Sequence, residues 1–284
     1  MKLLTYEVGG KMRAGALEGD TVREIPGFSG VDELIAKGGA GAARRMATGE
    51  EVALQDVKVR APLRVPDKVL LAAVNYKAHG GEQKTALPTE PYFFTKFPSC
   101  IIGEGDPVVV PKVSSKVDWE AELGVVIGRK CKYASKAQAL SFVAGYTVAM
   151  DVSFRDLQFP KGWPEKTNTL GQNWVKGKAL DSALPLGPWI VTADEIPDPQ
   201  RLDIGLKVNG VERQKANTED MIFSVAELIA YLSDGITLHP GDLISTGTPA
   251  GVAAFTNAPY LKPGDVIETT VGRIGTLHNP VSAE

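Results

Sequence analysis

The sequence predicts an α+β fold that is mainly β. Three observations carry this: runs rich in Val, Ile, Thr and aromatics recur along the chain, Gly and Pro punctuate them, and the helical patterns do not alternate regularly with the strands. Regular alternation would mark a doubly wound nucleotide-binding sheet, so that class is disfavoured. The 284 residues allow one large domain or two unequal ones.

Residues 1–66 read as a small N-terminal α+β module. Leu3–Val8, Gly9-Gly10 and Met12–Leu17 form a hairpin pattern, and Thr21–Ile25 continues it as a third strand. Val31–Lys37 carries helix-spaced apolar residues and stops at Gly38-Gly39, and Ala40–Thr48 offers a second short helix. Two prolines within 60–67 mark the boundary, after which residues 67–284 form the main domain. There, strand-like runs fall at Lys68–Asn75, Pro91–Lys96, Val108–Lys112, Val117–Gly128, Gly145–Asp151, Trp189–Ala193 and Ile267–Leu277. Leu202–Val208 and Val211–Lys215 flank Asn209-Gly210, a pair suited to the positive φ of a type I′ turn. Two helices open on capping pairs, Ser135 with Gln138 and Ser224 with Glu227. The second buries a stripe of Val225, Leu228, Ile229 and Leu232.

Composition excludes several functions. A net charge of −3 gives no basic surplus for a phosphate backbone, so nucleic acid is not an expected partner. Apolar stretches such as Val69–Val74 fall far short of the ~20 residues a membrane helix needs, so neither a membrane nor a secretory route is expected and a cytoplasmic protein is. Two cysteines without a Cys-x-x-Cys spacing, and three histidines, argue against a disulfide framework or a zinc motif.

The most informative segment is Val117-Asp-Trp-Glu-Ala-Glu-Leu-Gly-Val-Val-Ile-Gly128. On a strand Asp118, Glu120 and Glu122 share one face, where like charges repel unless water or a hard cation compensates. That leaves two readings, a wet strand face or a metal site. Asp151 ends an apolar run and is either a helix cap or a further ligand. Arg155 and Gln158 lie three apart and share a helical face. In Asn75-Tyr-Lys-Ala-His-Gly-Gly-Glu82, His79 stands three residues before Glu82, and such a pair can take a proton from water. Gly177-Lys178 closes a turn-prone stretch, and Thr246-Gly-Thr-Pro-Ala-Gly251 is a hydroxyl loop suited to a carboxylate. The stretch Phe159–Lys166 is expected to shape a pocket. No Walker loop and no Gly-x-Gly-x-x-Gly follows a strand.

In this order the motifs resemble the fumarylacetoacetate hydrolase family: Asn75-Tyr-x-x-His79-x-x-Glu82, Glu120-x-Glu122-Leu-Gly, Asp151 with Ser153-x-Arg-Asp-x-Gln158, Gly177-Lys178, and Gly247-Thr-Pro-x-Gly251-Val. The resemblance implies a β-roll catalytic domain with peripheral helices, acting as a homodimer. It further implies a divalent cation, Mg²⁺ first and Mn²⁺ or Ca²⁺ next, held by Glu120, Glu122 and Asp151. His79 and Glu82 would activate water, and Lys178 would polarise the substrate oxygen. Tyr76, Arg155, Gln158 and Thr248 would hold the keto-acid substrate. Val74 stands where longer fumarylacetoacetases carry an acid, which puts this chain nearer the smaller, three-carboxylate members.

The expected function is metal-dependent hydrolysis of a carbon–carbon bond in a β-diketo acid, such as an acylpyruvate or a related intermediate of aromatic catabolism. The nearest alternatives are oxaloacetate decarboxylation or 2-oxo-dienoate isomerisation on the same metal-enolate site. A metal-stabilised binding protein is the non-enzyme alternative, and the intact His79–Glu82 pair argues against it.

Overall fold

Every residue of the Ala121–Ile127 strand is buried, as is every residue of its antiparallel neighbour Val143–Met150. The computed structural model describes residues 1–83, 86–158 and 172–284, so Phe159–Lys166 lies outside the described residues. The two strands lie inside a twelve-stranded sheet. Its main path runs through Glu51–Ala53, Thr21–Ile25, Lys11–Glu18, Lys2–Val8, Leu184–Thr192, Val143–Met150, Ala121–Ile127, Leu243–Ser245, Val69–Ala73 and Tyr92–Thr95. A second sheet of five strands, including Asp203–Val208, Val266–Val271 and Gly275–Ala283, packs over the central strands. This arrangement is α+β and mainly β, with two stacked layers around the core.

The acidic side of the strand is covered by Arg155, Lys178, Ser245 and Gly247 and is not a wet face. Asp118, Glu120 and Glu122 are 0%, 5% and 1% exposed, so water does not screen their repulsion. Asp118 also leaves the row, because the chain breaks strand geometry at Trp119-Glu120 between Val117–Asp118 and Ala121–Ile127.

The N-terminal strands follow the expected meander, and Lys2–Val8 joins the large sheet by pairing Leu3 with Ile190. Val31–Ala36 is helical and ends before Gly38, whose φ of 74° suits glycine. Ala40–Thr48 forms a 3-10 turn followed by the short helix Ala43–Met46. The Asn209-Gly210 hairpin forms, as does the Val225–Ser233 helix with its reciprocal Ser224–Glu227 cap.

Three local expectations change. Ser135 bonds the Gln138 side chain but caps no backbone group, and the helix stops at Ala139 before a 3-10 turn. Ile267–Leu277 is not one strand but a hairpin turning at Gly272–Ile274, where Arg273 adopts φ 64°. The stretch before Lys178 is a short helix, Trp174–Lys178, because the Asn173 side chain accepts from Lys176 N.

Candidate active site

Strand register assembles the acidic cluster. Ala121 pairs with Met150, so Asp151, one residue past the strand end, falls beside Glu120, and its N–H donates to Glu120 O at 2.9 Å. Glu120, Glu122 and Asp151 each present an oxygen within 4.8 Å of the other two.

Three cations surround the cluster. Lys178 Nζ lies 2.7 Å from Glu120 Oε2 and 2.7 Å from Asp151 Oδ2. Arg155 donates to Glu120 Oε1 at 2.6 Å and to Asp118 Oδ2 at 2.8 Å. Lys96 Nζ, fully buried, lies 2.7 Å from Asp151 Oδ1. Burial opposes ionisation at Glu120, but Lys178 and Arg155 outweigh it and hold its carboxyl far below the usual range. Burial also opposes the charge on Lys178, and Asp151 with Glu120 reverses that, raising its pKa.

Glu122 differs from the other two. Among the described residues only Ser245 Oγ and Gly247 N donate to it, the latter at 3.0 Å. Burial, with Asp151 and Glu120 close by, pushes its pKa well up. A divalent cation fits this donor set on both counts. Adjacent and opposite oxygens around Mg²⁺ or Ca²⁺ stand about 3.0–4.8 Å apart, and a hard cation stabilises the ionised form that burial disfavours.

His79 and Glu82 sit on the short Lys77–Glu82 helix. His79 Nδ1 faces Glu82 Oε2 at 3.4 Å, and Glu82 Oε1 accepts from Gly251 N at 2.9 Å. The Gln83 amide meets His79 Nε2 at 2.7 Å. With a proton on Nδ1 toward Glu82, Nε2 keeps its lone pair, the tautomer a general base needs. Asn75 anchors the segment: its amide donates to Phe223 O and Thr246 O at 3.0 and 2.8 Å, and its oxygen accepts from Phe223 N at 2.8 Å.

A cavity of about 290 Å³ brings His79, Glu120, Glu122, Arg155, Gln158, Lys178 and Thr248 together. Asp151 stands behind Lys178, and Glu82 behind His79. Tyr76 does not line this cavity. Its hydroxyl is buried without a hydrogen-bond partner among the described residues, and burial with nearby Glu122 raises its pKa. Asp118 is a structural anchor, accepting from Trp119, Ala253 and Ala254 N as well as Arg155. Sequence reasoning missed Lys96 and Gln83. A signal for Lys96 existed, since it stands two residues after inward-facing Phe94 on the same strand face.

Residues 68–282 match the family profile described as fumarylacetoacetate (FAA) hydrolase, C-terminal, and residues 1–62 match one described as Rv2993c-like, N-terminal. The chain belongs to the fumarylacetoacetate hydrolase family. A 2,4-didehydro-3-deoxy-L-rhamnonate hydrolase of Sphingomonas sp. (strain SKA58) is 41% identical over 99% of this chain and 96% of its own length. The mitochondrial oxaloacetate tautomerase FAHD2A of Bos taurus is 43% identical over 80% of this chain and 70% of its own length. The crystal structure of a 2-hydroxyhepta-2,4-diene-1,7-dioate isomerase from Mycobacterium marinum superposes with a TM-score of 0.80 at 35% identity, covering 100% of this chain and 99% of that one. Members of the fumarylacetoacetate hydrolase family among these relatives are hydrolases, tautomerases and isomerases, and this chain is an enzyme of that group. Its buried triad can bind a divalent cation. Among the described residues no helix is long and apolar enough to cross a membrane.

Proposed function

We propose that the protein hydrolyses a carbon–carbon bond in a 2,4-dioxo acid of the acylpyruvate class. One observation carries this reading: His79, backed by Glu82, lines the same cavity as Glu120, Glu122 and Lys178. Hydrolysis needs a base that takes a proton from water at this position, and His79 with Glu82 supplies one.

His79 Nε2 takes a proton from water as the Gln83 amide gives way, and Glu82 stabilises the imidazolium. Hydroxide adds to the C4 carbonyl, the C3–C4 bond breaks, and C4 leaves as a carboxylic acid. The electron pair remains on C3 as the enolate of pyruvate, which a proton at C3 converts to pyruvate. Lys178, desolvated and held cationic, offsets developing oxyanion charge. Arg155, Gln158 and Thr248 border the space where the acid's carboxylate would lie. A divalent cation held by Glu120, Glu122 and Asp151, most suitably Mg²⁺, would supply Lewis-acid stabilisation of adjacent keto oxygens.

The Sphingomonas relative supports the substrate class, since its substrate's name describes a 3-deoxy acid oxidised at C2 and C4. A second reading is enol–keto exchange of oxaloacetate, favoured by the bovine relative, or its decarboxylation on the same Lys178-centred site.

The test follows loss of acylpyruvate enol absorbance with Mg²⁺ or Mn²⁺, then with excess chelator, and runs oxaloacetate in parallel. Cleavage to pyruvate and a second acid that stops with chelator is the expected result. Turnover of oxaloacetate alone would move the assignment to the second reading. Activity that survives complete metal removal would refute both.

A further inference from the structure

Gln214 lies on the Val211–Asn217 strand of the second sheet, is 1% exposed, and reaches into the large sheet. Its Oε1 accepts from Ala121 N at 2.9 Å, the peptide between Glu120 and Glu122. Its Nε2 donates to Thr248 Oγ1 and to Pro249 O, both at 2.8 Å. Rotating the amide by half a turn would set Oε1 against the Pro249 carbonyl and Nε2 against the Ala121 N–H. Two backbone groups therefore fix which end of Gln214 donates.

That fixed orientation determines the state of Thr248. A hydroxyl has one proton and two lone pairs, and Gln214 occupies a lone pair. The proton has no acceptor among the described residues, while Thr248 lines the cavity shared by Arg155 and Lys178. We infer that Gln214 is a positioning residue that makes Thr248 a dedicated hydrogen-bond donor to an anionic oxygen of the bound 2-oxo acid. The inference rests on the proposed function only in taking a 2-oxo acid as ligand. It also explains a close approach. Gly251, at φ 108°, would place a Cβ 2.0 Å from Arg213 O, so only glycine lets the Thr248 loop seat against the strand that bears Gln214.

The probe is oxalate, a planar anion with the adjacent oxygens of a 2-oxo acid, titrated calorimetrically into the Mg²⁺-loaded protein. Thr248→Val should weaken oxalate about ten- to hundredfold, the range of one hydrogen bond to a charged group, and Thr248→Ser should stay within about twofold. Gln214→Met should weaken oxalate about tenfold in the Thr248 protein but less than about twofold in the Thr248→Val background. Mg²⁺ affinity without oxalate should hold within about twofold throughout. For a cleaved 2,4-dioxo acid, KM should rise while kcat stays within about threefold.

Equal losses from Gln214→Met in both backgrounds would overturn the inference, because Gln214 would then act through general packing. So would a parallel loss of Mg²⁺ affinity, which would place its effect on the Glu120–Glu122 strand. If Gln214→Met does not fold, the Thr248→Ser and Thr248→Val pair decides alone: equal effects overturn the donor role. Coupling to oxalate in a protein that cleaves no dioxo acid would uphold this inference while refuting the proposed reaction.

Discussion

Replacing Lys96 by Met tests whether the buried cations hold the acidic cluster together. Met fills most of the lysine stem's volume, so the change removes charge and donors rather than packing. Lys96 Nζ contacts Asp151 Oδ1 at 2.7 Å and donates to Val152 O at 2.8 Å and to Ala183 O. Removing one partner of a buried ion pair costs about 3–5 kcal/mol, and Lys178 on Asp151 Oδ2 places this case toward the low end. Ala183 O keeps the Val152 N–H at 3.1 Å, whereas Val152 O loses a donor, adding about 1 kcal/mol. The sum is about 4 kcal/mol. At roughly 2–4 °C per kcal/mol for a chain of this size, Tm should fall by about 8–16 °C. Thermal unfolding followed by circular dichroism, with chelator present in both proteins, measures it. Added Mg²⁺ should then raise the variant's Tm more than the wild type's, since Asp151 has lost a competing cation. A Tm within about 2 °C of wild type would show that Lys96 does not support Asp151.

Three further outcomes are expected. Gly177→Ala places a Cβ 2.8 Å from Gln158 Cα, so the Trp174–Lys178 helix must shift; turnover should fall at least about tenfold with Tm little changed, measured by steady-state kinetics and a thermal melt. His79→Ala should lower carbon–carbon cleavage by about 10²–10⁴ while leaving Mg²⁺ affinity within about twofold, and unchanged turnover would remove the hydrolytic pair from the mechanism. Glu227 is held at a pKa of about 2 by Lys136 and Ser224, below its usual 4.5, so its stabilisation is complete above about pH 4.5 and lost as pH falls toward 2. With its side chain 38% exposed, screening limits that contribution to below about 1 kcal/mol. Glu227→Gln keeps the capping geometry and should flatten stability by that amount across the same window in urea melts at stepped pH.

Legibility in the sequence followed the distance over which a signal acts. Ser224 and Glu227 lie three apart and meet in the structure, as do Arg155 and Gln158, because local spacing alone decides such pairs. Glu120 and Glu122 shared a face by strand alternation, which survives once the chain re-enters strand geometry at Ala121. Asp118 broke the pattern, since Arg155 and the Ala253 and Ala254 amides draw it elsewhere. What covers a strand face is a tertiary fact, so a wet face and a buried metal site could not be separated by alternation. Only the order of motifs, read as a family resemblance, joined Asp151, His79 and Lys178 to that strand. Gln214 was invisible for the same reason: its partners Ala121 and Thr248 lie 93 and 34 residues away, and an isolated glutamine on a hairpin carries no local signal.

The pairing of Leu3 with Ile190 has a consequence for synthesis on the ribosome. Lys2–Val8 pairs Lys11–Glu18 on one edge and Lys58–Arg60 along Thr5–Glu7 on the other, all close in sequence, but the partner of Lys2 and Leu3, Leu184–Thr192, is translated far later. At about 5–20 residues per second, that wait is roughly 10–40 s. During it the Lys2–Leu3 end of that edge stays unpaired, a short stretch of the kind of surface that recruits chaperones or pairs with another nascent chain. Stalled chains ending just before Leu184 should be cut by protease near Lys2–Leu3, and chains extended well beyond Thr192 should be protected there.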